Sequence, residues 1–222
     1  MGEIGLYEAM RTTRAVRRLK PDPVPDAVLA RVLEAATWAP SGGNRQPWRI
    51  VVVRDAGAKQ AMQRMYEEGW RAYLPIARAG NAGLNETQLA KRERALRAGD
   101  YLAKNFHLAP AILVVCFDPR ALAITDRALD RPSVVGGASI YPAVQNLLLA
   151  CRAEGLGCVL TTLLCAREPE IRPLIGLPEP WALAAFVTIG FPVGVGHGPL
   201  GRRSIETMAF ADRWGEPWRA SP

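Results

Sequence analysis

The 222-residue sequence is poor in the residues that build metal centres and disulfide frameworks. It has two histidines, His107 and His197, and four cysteines, none of which belongs to a Cys-x-x-Cys pair. A structural zinc site needs four thiolate or imidazole ligands at close spacing, so no metal is expected. The cysteines are predicted to be free thiols, three of them buried in or beside apolar segments. This usage fits a reducing compartment, and a cytoplasmic location is expected.

The sequence also lacks a segment that reads as a membrane span. Its longest uncharged run, residues 133–151, approaches the ~18–20 residues that a spanning helix needs. However, the run begins with small residues and glycines and contains Pro142, Gln145 and Asn146, so a loop followed by a buried helix is predicted. The amides of Gln145 and Asn146 would then need partners across an interface. The N-terminus shows no apolar signal region, and no membrane partner is expected.

Lysine is scarce, because 24 of the 28 basic residues are arginine, and the formal net charge is +7. A basic surface can serve nucleic acid or an anionic cofactor. The arginines are dispersed, without a run of five and without interleaved aromatic residues. This pattern disfavours a nucleic-acid partner and leaves an anionic cofactor as the better interpretation.

Helical and strand patterns alternate along the chain, which indicates an α/β or α+β protein. The length fits a single domain over residues 1–222. Strands are predicted at 48–53, 111–117, 158–164 and 182–189, and residues 73–84 are predicted to be irregular. Helices are predicted at 4–10, from 26 to before Pro40, and at 56–72, 86–106, 140–153 and 167–175.

The first candidate binding segment is a cluster of arginines at 11, 14, 17 and 18, followed by a proline-rich stretch at 21–25. Such a cluster is often only a solvated basic face. Here the prolines place it in a non-helical connector, where several guanidinium groups can point at one ligand. The planar guanidinium fork donates two parallel hydrogen bonds to phosphate. The connector is therefore a candidate phosphate site.

The second candidate is the loop from Pro40 to Trp48. The alternative is an ordinary connection between a helix and a strand. Two glycines would let the backbone approach a flat ligand, and Asn44 and Gln46 offer both donors and acceptors to a heterocycle. No lysine follows the glycines, which excludes a P-loop.

The glycine-rich segment 196–201 matches the dinucleotide pattern G-x-G-x-x-G. That pattern needs a following helix, a returning strand and an acidic residue ~20 positions on. Only 21 residues follow Gly201, and Pro199 lies inside the turn, so a plain loop is predicted.

Four segments in this order and spacing resemble the FMN-dependent nitroreductase family: 13–17, 39–48, 146–150 with 155–157, and 202–203. The resemblance covers nearly the whole chain. It implies an α+β fold with a central, mainly antiparallel sheet flanked by helices. It also implies an intertwined homodimer with two FMN sites at the interface. Residues 66–106, which match least, would form a variable helical region of the substrate pocket, and residues 196–222 a tail that embraces the partner.

The resemblance assigns cofactor-binding roles residue by residue. Around the FMN phosphate it places Arg14, Arg17 and Arg203, with Thr13 and Ala15 at positions where many relatives have Arg and Ser. Along the flavin ring and ribityl chain it places Pro40, Ser41, Gly42, Asn44 and Gln46. Near the reactive edge it places Thr161, Thr162 and Leu163, with a backbone amide near Leu163 against the ring nitrogen that accepts the hydride.

The implied function is an FMN-dependent oxidoreductase that transfers a hydride from NADH or NADPH, through the flavin, to a small electron-poor acceptor such as a nitroaromatic or a quinone. No catalytic side chain is expected, because the cofactor carries the chemistry. FAD is disfavoured, since nothing marks an adenosine site. Flavin-destroying synthases, reductive dehalogenases and a non-catalytic flavin-binding module remain alternatives, and the physiological acceptor and the donor, a deazaflavin included, stay open.

Overall fold

A computed structural model of the protein describes residues 4–219. Within these residues the strands are β1 (Trp48–Val53), β2 (Ala111–Phe117), β3 (Gly157–Thr161) and β4 (Ala182–Gly190). No helix in this part of the chain is long and apolar enough to cross a membrane. The α-helices are α1 (Leu6–Thr12), α2 (Asp26–Thr37), α3 (Ala56–Ala79), α4 (Glu86–Asn105), α5 (Tyr141–Ala153) and α6 (Glu168–Ile175).

The strands form one antiparallel sheet in the order β1-β2-β4-β3. Its central strands are apolar except for the buried Thr188 of β4, because core side chains cover both faces. One core contains Val32 of α2 and Leu147 of α5, and the other contains Met62 of α3 and Phe106 after α4. The predicted α+β fold, with a mainly antiparallel sheet flanked by helices, is confirmed.

Several predicted boundaries are wrong. The helix predicted at 4–10 continues to Thr12, so Arg11 of the predicted arginine cluster lies in α1 and pairs with Glu8 instead of belonging to the connector. The strand predicted at 158–164 ends at Thr161, because the chain turns at Thr162 (φ −118°, ψ 0°) into a 3₁₀ turn over Leu163–Arg167. The segment 73–79, predicted to be irregular, continues α3 through Pro75. Pro75 is exposed, so water can bond the carbonyl that loses its helical partner.

The connector, residues 13–19 after α1, packs along β3, which is an edge strand of the sheet. The Val16 N–H donates to the Cys158 carbonyl at 2.8 Å, and Ala15 pairs with Cys158 as an isolated parallel bridge. Gly157 makes this approach possible, since a Cβ there would lie 2.7 Å from Val16 Cγ1. The connector thereby covers part of the exposed strand edge and fixes the positions of its arginines.

Gly157→Ala is expected to destabilise the protein by ~1–3 kcal/mol, because the added methyl would push the connector off β3. The matched control is Gly69→Ala in α3, where the nearest atom to a new Cβ is Leu163 Cβ at 3.8 Å. That control should gain ~0.5–1 kcal/mol from its lower unfolded-state entropy. Urea unfolding of the ligand-free protein at one protein concentration measures both. Equal stability of Gly157→Ala and wild type would contradict the packing described.

Candidate functional site

Two adjoining cavities are lined by residues of the connector and of β3. Their volumes are about 280 Å³ and about 310 Å³, and they share Arg17, Val159 and Leu160 as lining residues. Together they form one groove along the edge strand, with Arg17 between its two halves. We call the first half the basic cavity and the second half the aromatic cavity.

The basic cavity holds positive charge that no carboxylate neutralises. Arg14 and Arg17 of the connector line it with Arg202 of the tail, and no acidic residue is among its lining residues. Among residues 4–219 none of these three arginines forms an ion pair, whereas eight other arginines do. Burial lowers the pKa of Arg17, which shows that its charge is partly desolvated. Three guanidiniums without a carboxylate partner, one of them partly buried, suit an anionic ligand.

The aromatic cavity is lined by three side chains of α3, Tyr66, Trp70 and Tyr73, spaced so that they share one helix face. The Trp70 Nε1–H donates to Asp100 Oδ1 at 2.6 Å, which fixes the indole against α4. Tyr66 stacks on Phe106 at 4.6 Å, and burial raises the pKa of Tyr66, so its phenol is neutral. The cavity offers flat apolar walls to a planar ligand.

Seven of the predicted site residues lie in this groove. The basic cavity contains Thr13, Arg14, Ala15 and Arg17, and the aromatic cavity contains Arg17, Thr161, Thr162 and Leu163. Arg203 lines neither cavity, whereas its neighbour Arg202 lines the basic one. The loop residues Pro40, Ser41, Gly42, Asn44 and Gln46 also line neither cavity. Within residues 4–219, therefore, the two predicted parts of the site do not line a common cavity.

The loop 40–46 has a defined conformation of its own. Gly43, Asn44 and Gln46 all have positive φ, at 59°, 52° and 47°. Such a backbone is strained for a non-glycine residue and is often found where a ligand is held. The Gln46 N–H donates to Ser41 Oγ at 3.0 Å, and the Gly42 N–H donates to Ser139 Oγ at 3.0 Å. The loop leaves its amide side chains exposed, available to a ligand or a partner surface.

Known proteins resemble this chain over most of its length. The model of the nitroreductase family matches residues 10–191. An NADH dehydrogenase of Thermus thermophilus is 34% identical over 199 residues, covering 89% of this chain and 91% of the relative. The chain belongs to the nitroreductase family.

Its relatives within the family carry other names as well. A 5,6-dimethylbenzimidazole synthase of Rhodobacter capsulatus is 32% identical over 203 residues, covering 90% of this chain and 89% of the relative. A crystal structure of oxidised iodotyrosine deiodinase bound to FMN and 3-iodo-L-tyrosine has a TM-score of 0.68 at 26% identity, covering 90% of this chain and 96% of that chain. The resemblance to nitroreductases is thus confirmed, while the relatives differ in the reactions that their names describe.

The sequence interpretation missed several residues of the groove. Tyr66, Trp70 and Tyr73 repeat at helical spacing, a signal that was present in the sequence. Gln145, predicted to be buried, is instead exposed and lines the basic cavity, because α5 turns that face outward. Asn146 does bond across an interface, donating to the Ala35 carbonyl of α2 at 3.2 Å.

The four cysteines are free thiols, most of them buried. Cys116, Cys151 and Cys158 are buried free thiols, as predicted, and Cys165 is half-buried. Burial raises the pKa of Cys116 and of Cys165 to about 11, so each is a protonated thiol at neutral pH. Cys158 lines the basic cavity only as an apolar wall.

Proposed function

We propose that this nitroreductase-family protein is a cytoplasmic FMN-dependent oxidoreductase that reduces a small electron-poor acceptor with NADH or NADPH. When bound, FMN would supply the redox chemistry, by taking a hydride from the nicotinamide and giving it to the acceptor. The observation that carries the proposal is the groove itself, where uncompensated guanidiniums adjoin a cavity with flat aromatic walls. A flavin mononucleotide has these two parts, an anionic phosphate and a planar ring.

The phosphate would lie in the basic cavity. Arg14 and Arg17 would hold it, since both are fixed on β3 by the connector and neither has a carboxylate partner among residues 4–219. Arg203 stays proposed from the resemblance, and the cavity adds Arg202. Thr13 and Ala15 would form part of the cavity wall without adding charge.

The ring would lie towards the aromatic cavity, beside the residues that follow β3. The Leu163 N–H donates to Thr161 Oγ1 at 3.4 Å, a long hydrogen bond that a better acceptor can replace. We propose that this N–H donates to the ring nitrogen. Trp70 and Tyr73, held by α3 and α4, would exclude water from the acceptor's space, so residues 66–106 would shape the substrate pocket.

A second copy of the chain would supply the rest of the site. The loop 40–46 is exposed and outside the groove, so its contribution to a flavin fits a homodimer with the site shared between protomers. Trp38, just before this loop, is 71% exposed, and an apolar cavity of about 480 Å³ lies between α1, α2 and α5. Trp214 of the tail is 91% exposed. Soluble monomers rarely expose such surfaces, and a partner would cover them.

We propose one FMN-binding domain over residues 1–222, whose tail from residue 196 embraces the partner. Residues 1–3 and 220–222 lie outside the described residues. A flavin-destroying or dehalogenating reaction is the alternative, in keeping with the names of the relatives. A non-catalytic flavin-binding module is the third possibility. Turnover with NADH or NADPH separates the proposed oxidoreductase from that module.

The purified protein should release FMN and not FAD on denaturation, and the mass of the released chromophore measures this.

Arg17→Ala should bind FMN ~10- to 100-fold more weakly than wild type, because a hydrogen bond to a charged group contributes about that much affinity. Arg64→Ala, an exposed arginine of α3, is the matched control and should bind as wild type does. Fluorescence titration of the FMN-free variants measures this. Arg202→Ala and Arg203→Ala in the same series show which tail arginine meets the phosphate. Wild-type affinity in Arg17→Ala would remove that residue from the site.

Protomers carrying Arg17→Ala should restore FMN binding to protomers carrying Asn44→Ala when the two are mixed and reassembled. A heterodimer with a shared site has one site with both substitutions and one with neither, so the mixture should regain up to a quarter of the wild-type sites. Flavin absorbance per protomer after gel filtration measures the recovery. No recovery from a mixture shown to contain heterodimers would place both residues in one protomer's site.

Steady-state kinetics with NADH or NADPH and a benzoquinone should be ping-pong, because donor and acceptor would use the same aromatic cavity in turn. Parallel double-reciprocal lines are expected, and the FMN-free protein is the control without turnover. Intersecting lines would show that donor and acceptor occupy separate places. No oxidation of either nicotinamide would favour the non-catalytic module.

A further inference from the structure

His197 is buried and held by hydrogen bonds at both ring nitrogens. Only 8% of the residue is exposed, and its Nε2 lies 2.8 Å from the Leu156 carbonyl oxygen. A carbonyl can only accept, so Nε2 carries the proton. Nδ1 is then a free acceptor, and it receives the backbone N–H of Arg14 at 3.4 Å. The two contacts together define a neutral imidazole with one tautomer.

The loop around His197 forms hydrogen bonds to both the backbone and the side chain of Arg14. The imidazole accepts from the Arg14 backbone, while the Arg14 guanidinium donates to the Pro199 carbonyl at 2.7 Å. The Gly198 N–H donates to the Thr12 carbonyl at 3.0 Å, which ties the same loop to the end of α1. The segment that sequence patterns treat as a plain loop is therefore the support of the basic cavity's first arginine.

We propose that neutral His197 is the positioning residue for Arg14, and that protonation of the imidazole displaces Arg14 and lowers the affinity for FMN. This inference rests on the proposed function, since it takes Arg14 as a ligand of the FMN phosphate. In the imidazolium form Nδ1 would also be a donor, and its proton would face the Arg14 N–H. Two donors cannot share that hydrogen bond, so the backbone of Arg14 must move.

The surroundings of the imidazole favour its neutral form. Burial lowers the pKa of His197, the hydrogen bond to Leu156 opposes this, and the Arg152 charge on α5 lowers it further. Arg14 on the connector adds a second cation beside the same loop. Because the folded pKa lies below the ordinary value of ~6.5, the neutral form is fully present at pH 7.5. The loss of FMN affinity should begin only as the pH falls below that ordinary value.

FMN affinity of the wild type and of His197→Asn, measured from pH 7.5 to 5.0, tests the proposal. The Asn oxygen can accept the Arg14 N–H and cannot be protonated in this range. We expect the two proteins to bind alike at pH 7.5, and the wild type to lose about fivefold more affinity by pH 5.0, the size of one neutral hydrogen bond. The second ionisation of the FMN phosphate, at ~6, affects both proteins equally. His107→Gln, which replaces the other histidine, should follow the wild-type profile.

If the wild type loses as much FMN affinity as His197→Asn, or less, the inference is overturned. Such a result would mean that the protonated imidazole does not weaken the binding of the phosphate. An NMR titration of the His197 imidazole in wild-type protein gives a second readout that needs no variant at this position. By linkage, FMN should lower the pKa of His197, and an unchanged or raised pKa would also overturn the inference. Failure of the wild-type protein to bind FMN at pH 7.5 would overturn both the proposed function and the inference about His197.

Discussion

The packing of the connector on the edge strand β3 is the constraint on which the candidate site depends. Val16 bonds to Cys158 and fits above Gly157, where no side chain could be accommodated without displacing it. This contact holds the connector, which precedes the proline-rich stretch at 21–25, in one position against β3. Arg14 and Arg17, on either side of Val16, then acquire defined positions along the groove. The same contact covers a strand edge that would otherwise be open to pairing with another chain.

The second organising feature is the uneven pairing of arginines. The protein has many more arginines than lysines, and outside the groove eight of them are neutralised by neighbouring carboxylates. Inside the basic cavity no lining carboxylate is present. Repulsion between like charges there destabilises the free protein and is relieved when an anion binds. Such an arrangement favours ligand affinity at the expense of stability without ligand.

The two halves of the groove are built from different elements of the fold. The basic cavity is built from the connector, β3 and the tail, whereas the aromatic cavity takes its walls from α3 and α4. Trp70 packs on Gly99, where a Cβ would lie 2.3 Å from Trp70 Cη2, so its position depends on a residue of the neighbouring helix. Changes in these two helices can therefore alter the aromatic cavity and leave the elements that carry Arg14 and Arg202 unchanged. This is in keeping with a family whose members carry names for quite different reactions.

The sequence by itself determined the four strands and the sheet-and-helix class, because apolar periodicity and glycine and proline placement are local signals. The resemblance of four short segments added the nitroreductase family and seven residues of the groove. Strand β1, for example, spans the residues 48–53 that were predicted for it. Only the tertiary structure decided that α3 continues through Pro75, that Gln145 faces outward and that Arg202 rather than Arg203 lines the cavity. It also decided the placement of His197, whose partners Arg14 and Leu156 are 183 and 41 positions away in the chain. Contacts of that range depend on how the elements pack, and no local pattern of residues encodes them.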